Sequence, residues 1–173
     1  YRQPTSMAPV AAASMVALCE PYLKRDAQII DPFCGVGTLL IERNRLVPAG
    51  HMYGTDIYGE AVLQGRENAA LAGAQIYFVN RDFFDFTSDY LFDEIIGEFP
   101  RFSPGERAKA EDFYRKFFAA GKEILKLGGR MFLLSGEEGE IRKHLRLNRE
   151  LRLLRQIPFR KTEKIYILEK PAI

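Results

Sequence analysis

Long apolar runs are missing from this sequence. No stretch of about 18 apolar residues is free of charge, which excludes a helix that crosses a membrane. A basic region followed by an apolar run is missing near the start, so no secretory signal is expected. Cysteine is scarce: Cys19 and Cys34 are too few for a disulfide framework, and neither has a CxxC partner for zinc. His51 and His144 have no partner at metal-ligand spacing, so no metal is expected. A reducing, cytoplasmic setting follows from the same scarcity. Internal repeats, low-complexity tracts and interdomain linkers are missing too. What remains is 173 residues, 47% hydrophobic and 28% charged, enough for one globular domain with a sizeable core. The chain starts at Tyr1 rather than Met, so we expect a domain cut from a longer protein.

The formal net charge of +2 hides an asymmetry. From Arg142 to Lys170 ten basic residues face three acids, while the rest of the chain holds 15 basic and 20 acidic residues. A solvated helix face with a strand rim would account for this. So would an anionic partner on one side of the domain.

Strand and helix patterns alternate along the chain. Helices are expected over Met7 to Leu23, Gly37 to Leu46, Gly59 to Ala72, Glu106 to Leu127 and Glu138 to Leu147. Strands are expected over Gln28 to Asp31, Gly50 to Asp56, Gln75 to Asn80, Phe92 to Ile96 and Arg130 to Ser135. Gly128-Gly129 reads as the stop of the long helix. Leu151 to Ile157 and Lys164 to Glu169 read as a hairpin around Pro158. The fold class is therefore α/β: a doubly wound, mostly parallel seven-stranded sheet closed by a C-terminal antiparallel hairpin, with one antiparallel strand at its edge.

In such a sheet ligands bind beyond the carboxyl ends of the strands, at the point where strand order reverses. Three strand ends carry acids. The first runs Asp31-Pro-Phe-Cys-Gly-Val-Gly-Thr38 into a helix; its glycines permit close backbone approach, and the free N–H groups at Thr38 suit a carboxylate or phosphate. A dinucleotide fingerprint would need glycine at position 40, which is Leu40, and no Gly-Lys-Ser/Thr follows for a nucleotide phosphate loop. Asp31 could accept from an ammonium group. The second strand ends at Asp56, 19 residues beyond Gly37, where an acid can accept both hydroxyls of a ribose or cap the next helix. The third ends Asn80-Arg81-Asp82-Phe83. Asp82 could accept from an adenine amine with Ile57 or Phe83 flanking the ring, or serve as a turn acid beside core aromatics. Together the three acids describe a nucleoside with a charged amino-acid tail, S-adenosylmethionine. Cys34 reads as a small packing residue, and Phe83-Phe84-Asp85-Phe86, Phe113, Phe117 and Phe118 as core.

Asp31-Pro-Phe-Cys-Gly-Val-Gly-Thr-Leu-Leu-Ile-Glu42 is similar to the first motif of the Rossmann-like class I methyltransferases. It most resembles the RNA guanine-N2 methyltransferases associated with a THUMP domain. Gly54-Thr-Asp56-Ile57 resembles that family's second motif and Asn80-Arg-Asp82 its third. Pro4-Thr-Ser-Met7-Ala-Pro-Val-Ala-Ala-Ala13 resembles the helix that lids the cofactor. The resemblance implies an S-adenosylmethionine site built from Thr5, Ser6, Asp31, Pro32, Phe33, Cys34, Gly35, Gly37, Thr38, Asp56, Ile57, Arg81, Asp82 and Phe83. It implies an RNA substrate, in tRNA or rRNA, and an N-terminal RNA-binding module outside this sequence. The family's catalytic motif is Asn or Asp, Pro, Pro, then Tyr or Phe. The matching stretch here is Glu98-Phe99-Pro100-Arg101-Phe102. One reading keeps Glu98, Phe99 and Pro100 as the acceptor site, with Phe99 or Phe102 stacking on the base. Others are a module that binds cofactor or RNA without transfer, and an N-methyltransferase acting on DNA adenine or a small molecule.

Overall fold

A computed structural model describes residues 7–172. Helix α1, Pro9–Cys19, opens with proline at its first position, where no N–H is needed, and a short 3-10 turn extends it to Tyr22. Then strand β1, Gln28–Asp31, leads into α2, Thr38–Leu46. Strand β2, His51–Asp56, leads into α3, Gly59–Ala72, and β3 spans Ile76–Asn80. After β3 the chain makes only a 3-10 turn at Phe83–Asp85 before β4, Phe92–Glu98. Helix α4, Arg107–Ile124, passes directly into β5, Leu125–Ser135. Helix α5, Glu138–Leu147, and the hairpin of β6, Arg152–Arg160, and β7, Glu163–Glu169, complete the domain.

The seven strands lie in the order β3-β2-β1-β4-β5-β7-β6. The pairs β3-β2, β2-β1, β1-β4 and β4-β5 are parallel, whereas β7 runs antiparallel to both neighbours. The seven-stranded sheet and its hairpin match the expectation, but the antiparallel strand is β7, inside the sheet. Burial decides this: Ile165, Tyr166, Ile167 and Leu168 are almost wholly buried, while Arg152, Arg155 and Pro158 of β6 are exposed and tolerate the edge. Pro158 is not at the turn. It sits within β6, where an edge strand can spare an N–H, and Lys161-Thr162 makes the turn with Lys161 at φ +32°. The long helix also ends earlier than its spacing implies. Leu125 is fully buried in strand register with Phe92, and Gly128, at φ +83°, donates its N–H to Lys170 O at 2.6 Å. Gly128 thus shapes a strand irregularity rather than a helix stop.

One sheet face packs Met15, Val16, Leu39 and Leu40 from α1 and α2 against Ile29, Ile96 and Phe132. On the other face, Tyr114, Phe117 and Phe118 of α4 and Ile141 of α5 cover Ile30, Ile95, Met131 and Leu133. At the amino ends of the strands, the fully buried Arg43 of α2 meets Glu94 of β4 through Nε–Oε1 at 2.9 Å and Nη2–Oε2 at 3.1 Å. Lys24 N–H also donates to Glu94, and Arg43 donates to the carbonyls of Lys24 and Val47. These bonds satisfy a buried pair that would otherwise cost several kcal/mol per ion, and they anchor the far end of α2.

Candidate functional site

Strand order reverses between β1 and β4, and a cavity of about 380 Å³ opens there beyond the carboxyl ends of β1 to β4. Its floor is the turn from Asp31 to Thr38. Cys34 N–H donates to Thr55 O, Thr55 Oγ1 to Pro32 O at 2.8 Å, and Gly35 N–H to Asp56 Oδ2 at 2.9 Å. The turn is thus sewn to the end of β2. Gly37 adopts φ +83°, and a Cβ there would stand 2.8 Å from the Phe78 ring. Both constraints demand glycine. Cys34 Sγ fills the space a side chain at Gly54 would take, 2.8 Å from that virtual Cβ. Burial pushes its thiol above the ordinary range, so it packs rather than reacts.

Asp31 is buried at the cavity wall, and its Oδ1 accepts from Phe33 N–H at 3.0 Å. Burial, opposed by that N–H and aided by the charges of Asp56 and Glu98, pushes its carboxyl up to about 8. Asp56 also accepts from Tyr58 N–H at 2.9 Å through Oδ1, and Asp82 accepts from Phe84 N–H at 2.9 Å. Both acids therefore do the local turn work and line the cavity as well.

At the other end, Glu98 lines the cavity and its Oε2 accepts from Arg160 Nη2 at 2.7 Å. Phe99 continues the strand through an N–H to Leu134 O bond, and its ring is 2% exposed. That ring packs edge-on to Phe117 at 4.6 Å and Phe33 at 5.7 Å between centroids. Pro100 is exposed at the rim. Arg101, where the family's aromatic would stand, turns away to Glu163.

Asp31, Pro32, Phe33, Cys34, Gly35, Thr38, Asp56, Ile57, Arg81, Asp82, Phe83, Glu98, Phe99 and Pro100 share this one cavity. Gly37 and Phe102 are not in its lining; Gly37 backs onto Phe78, and Phe102 leans on Phe113 at 5.8 Å. Thr5 and Ser6 lie outside the described residues. The cavity also takes Met7, Val36 and Leu39, which lie within the motifs but were not among the expected site residues, and Tyr58, Ala61, Phe84 and Phe113, which the motifs did not mark. Phe113 and Phe84 carry helix and turn patterns that read as core, and pattern alone does not separate a core wall from a pocket wall. Among the described residues, no three His, Cys, Asp or Glu side chains gather to hold a metal ion, and no helix is long and apolar enough to cross a membrane.

The basic C-terminal segment does not form one face. Arg142 and Lys164 pair with Glu138, Arg152 with Glu169 and Arg160 with Glu98, while Lys170 donates to carbonyls. Lys143, Arg146, Arg149, Arg155 and Lys161 are exposed. Helix α5 descends from the carboxyl end of β5, and β6 climbs back in the direction of β5, so Arg149 lies at the opposite end of the sheet from the cavity and Lys161 at the cavity end.

A family model, UPF0020, described as RMKL-like, methyltransferase domain, matches residues 1–158. The tRNA (guanine(10)-N2)-dimethyltransferase of Methanothermobacter thermautotrophicus is 34% identical over 129 residues, 73% of this chain and 37% of that protein. The crystal structure of TrmN from Thermus thermophilus superposes with a TM-score of 0.81 at 22% identity, over 96% of this chain and 50% of that one. Trm5 of Methanocaldococcus jannaschii, solved in complex with adenosine, gives 0.71 at 17% identity, over 99% and 50%. The chain thus spans half or less of the length of each of these relatives. The two structural likenesses bear on the fold.

Proposed function

The chain belongs to the RMKL-like methyltransferase domain family, and from that premise we propose that it uses S-adenosylmethionine to methylate an exocyclic amine of an RNA base, guanine N2 in tRNA or rRNA. The observation that carries the reading is the single cavity at the strand-order reversal, which joins three strand-end carboxylates to Glu98. The relative that modifies guanine N2 in tRNA supports the choice of acceptor.

The residues present fit the cofactor. Asp31 is a buried carboxyl with one backbone donor, facing a cavity walled by two more carboxylates, which suits a cation. Gly97 has no Cβ to crowd it; a methyl there would stand 3.3 Å from Asp31 Oδ1. When bound, S-adenosylmethionine supplies an electrophilic methyl on a sulfonium, a good leaving group. Asp31 would hold its ammonium, and the open N–H groups of α2 its carboxylate. Asp56 would accept the ribose hydroxyls and Asp82 the adenine amine, with Ile57 and Phe83 against the ring. Glu98 and the Phe99 carbonyl would orient the acceptor amine with its lone pair toward the methyl. Glu98 or water takes the proton the amine sheds after attack. Positioning matters more than base strength in such a step.

RNA docking in this reading is shared between the cavity rim and a module outside residues 1–173, in keeping with the longer relatives, and the activity belongs to the cytoplasm. A second reading, cofactor binding without transfer, has its own support: Glu98 is already ion-paired and the Phe99 ring is packed into the core. Calorimetry with S-adenosylmethionine and its demethylated product, beside tritiated methyl transfer to unmodified tRNA and rRNA by the full-length protein, separates them. Heat and transfer support the first reading. Heat without transfer supports the second, and no heat overturns both. Transfer that rises in Glu98→Asn marks a detuned site rather than a lost one.

A further inference from the structure

Four charged side chains from two distant stretches form an alternating row beside the cavity. Glu98, at the end of β4, accepts from Arg160 Nη2 at 2.7 Å. Arg160, at the end of β6, places Nε 3.1 Å from Glu163 Oε1 on β7. Glu163 in turn accepts from Arg101 Nη2 at 3.2 Å and from Arg101 Nε at 3.4 Å. Exposure is uneven along the row: the side chains are 23% exposed at Glu98, 33% at Arg160, 7% at Glu163 and 62% at Arg101. One end of the row lines the cavity and the other stands in solvent.

We propose that Arg160 is a positioning residue for methyl transfer, acting through Glu98: it fixes Oε2 and leaves Oε1 to receive the acceptor amine. The inference rests on the function proposed above. Glutamate has one more rotatable bond than aspartate, so a free Glu98 carboxylate would sweep a wider volume at the place where an amine must be held. A charge-assisted bond from a planar guanidinium removes that freedom in a defined direction. Arginine suits the task better than lysine because its delocalised guanidinium donates to Glu98 through Nη2 while its Nε side stands in charge contact with Glu163, without a hydrogen bond between Arg160 and Glu163. Glu163, buried and hydrogen-bonded to Arg101, holds Arg160 in its turn through opposite charge at 3.1 Å. The row thereby ties the β6–β7 hairpin to the stretch that replaces the family's catalytic motif, and compensates for the longer acid.

The full-length protein is assayed for kcat and KM on unmodified tRNA, and for cofactor Kd by calorimetry, in wild type, Arg160→Gln, Arg160→Lys, Glu98→Ala and Glu98→Ala/Arg160→Gln. Arg160→Gln is expected to lower kcat about a hundredfold, the scale of an ångström-sized misplacement, with KM and cofactor Kd moved by less than about threefold. Arg160→Lys restores roughly tenfold of that loss. In the Glu98→Ala background, Arg160→Gln has no further effect, because nothing remains to be positioned. The inference is overturned if Arg160→Gln keeps kcat within about threefold of wild type, if its effect is equal without Glu98, or if the loss follows cofactor Kd. A wild type that binds cofactor and transfers nothing overturns the proposed function, and this inference with it. Transfer that ignores Arg160 overturns this inference alone.

Discussion

Near the glycine turn, Asp31, Asp56 and Asp82 each accept from the backbone N–H two residues onward, at Phe33, Tyr58 and Phe84. Across the same cavity, Glu98 and Glu163 are held by arginine side chains 62 residues away in the chain. The first set is wired to backbone that cannot turn without breaking the fold, and apart from the Gly35 N–H on Asp56 the wiring is local. The second is side chain to side chain, partly exposed, and joins strand ends that meet only once the sheet is assembled. A bond to fixed backbone sets one geometry, whereas a row of ion pairs sets a geometry that single substitutions can adjust. The cofactor end is therefore expected to be brittle and the acceptor end tunable.

The largest effect tests the brittleness. Gly37→Val puts a β-branched residue at φ +83° and its Cβ 2.8 Å from the Phe78 ring. Cofactor heat in calorimetry is expected to vanish, a loss above about a hundredfold in affinity, with near-native circular dichroism. Gly139→Ala, where an added Cβ meets nothing within 4 Å, is the control, expected to leave binding unchanged. Comparable binding by the two variants would break the contrast.

Next in size is a proton linkage at Asp31, whose carboxyl is raised to about 8 by burial. In the free protein it is neutral at pH 7, and a ligand ammonium wants the carboxylate. Affinity for S-adenosylmethionine is expected to rise as pH climbs, by up to about tenfold per unit, and to level off above pH 8. Stability runs the other way. The folded value exceeds the unfolded one, so the neutral acid's contribution is present below about pH 4 and is lost as pH rises through about 8. Asp31→Asn should flatten the binding curve, weaken binding above pH 8, and raise the apo melting temperature there. A wild-type affinity independent of pH between 6 and 9 would refute the linkage.

The same contrast explains what the sequence made legible. The run Asp31 to Thr38, Asp56 and Asp82 sit at strand ends whose hydrophobic patterns and glycines are local, so fold class, strand count and cavity floor follow from short windows. Three readings failed for non-local reasons. Gly128 resembles a helix stop, yet the buried pairing of Leu125 with Phe92 draws that segment into β5. Pro158 resembles a turn, yet its place on the edge strand β6 tolerates it. The hairpin's antiparallel strand lies inside the sheet because β7 carries the more apolar sequence. The row from Glu98 to Arg101 has no signal at all in sequence, since its spacing is set by the order β4-β5-β7-β6.

That order also divides the basic segment, and the smallest prediction concerns this division. Read along the chain, ten basic residues from Arg142 to Lys170 look like one anionic-partner surface. In the fold, Lys161 stands at the hairpin tip beside Arg160 and the cavity, whereas Arg149 lies where α5 has descended to the opposite end of the sheet. An RNA whose target base enters the cavity passes its backbone near the first and not the second. Lys161→Gln is therefore expected to weaken tRNA binding by the full-length protein only a few-fold, and to lower the slope of log affinity against log salt by about 1, as loss of one phosphate contact does. Arg149→Gln is expected to change neither. Fluorescence anisotropy across a salt series reads both quantities. Equal effects from the two would mean that RNA wraps the α5 edge, and the acceptor end would then share its electrostatic grip with a surface remote from the chemistry.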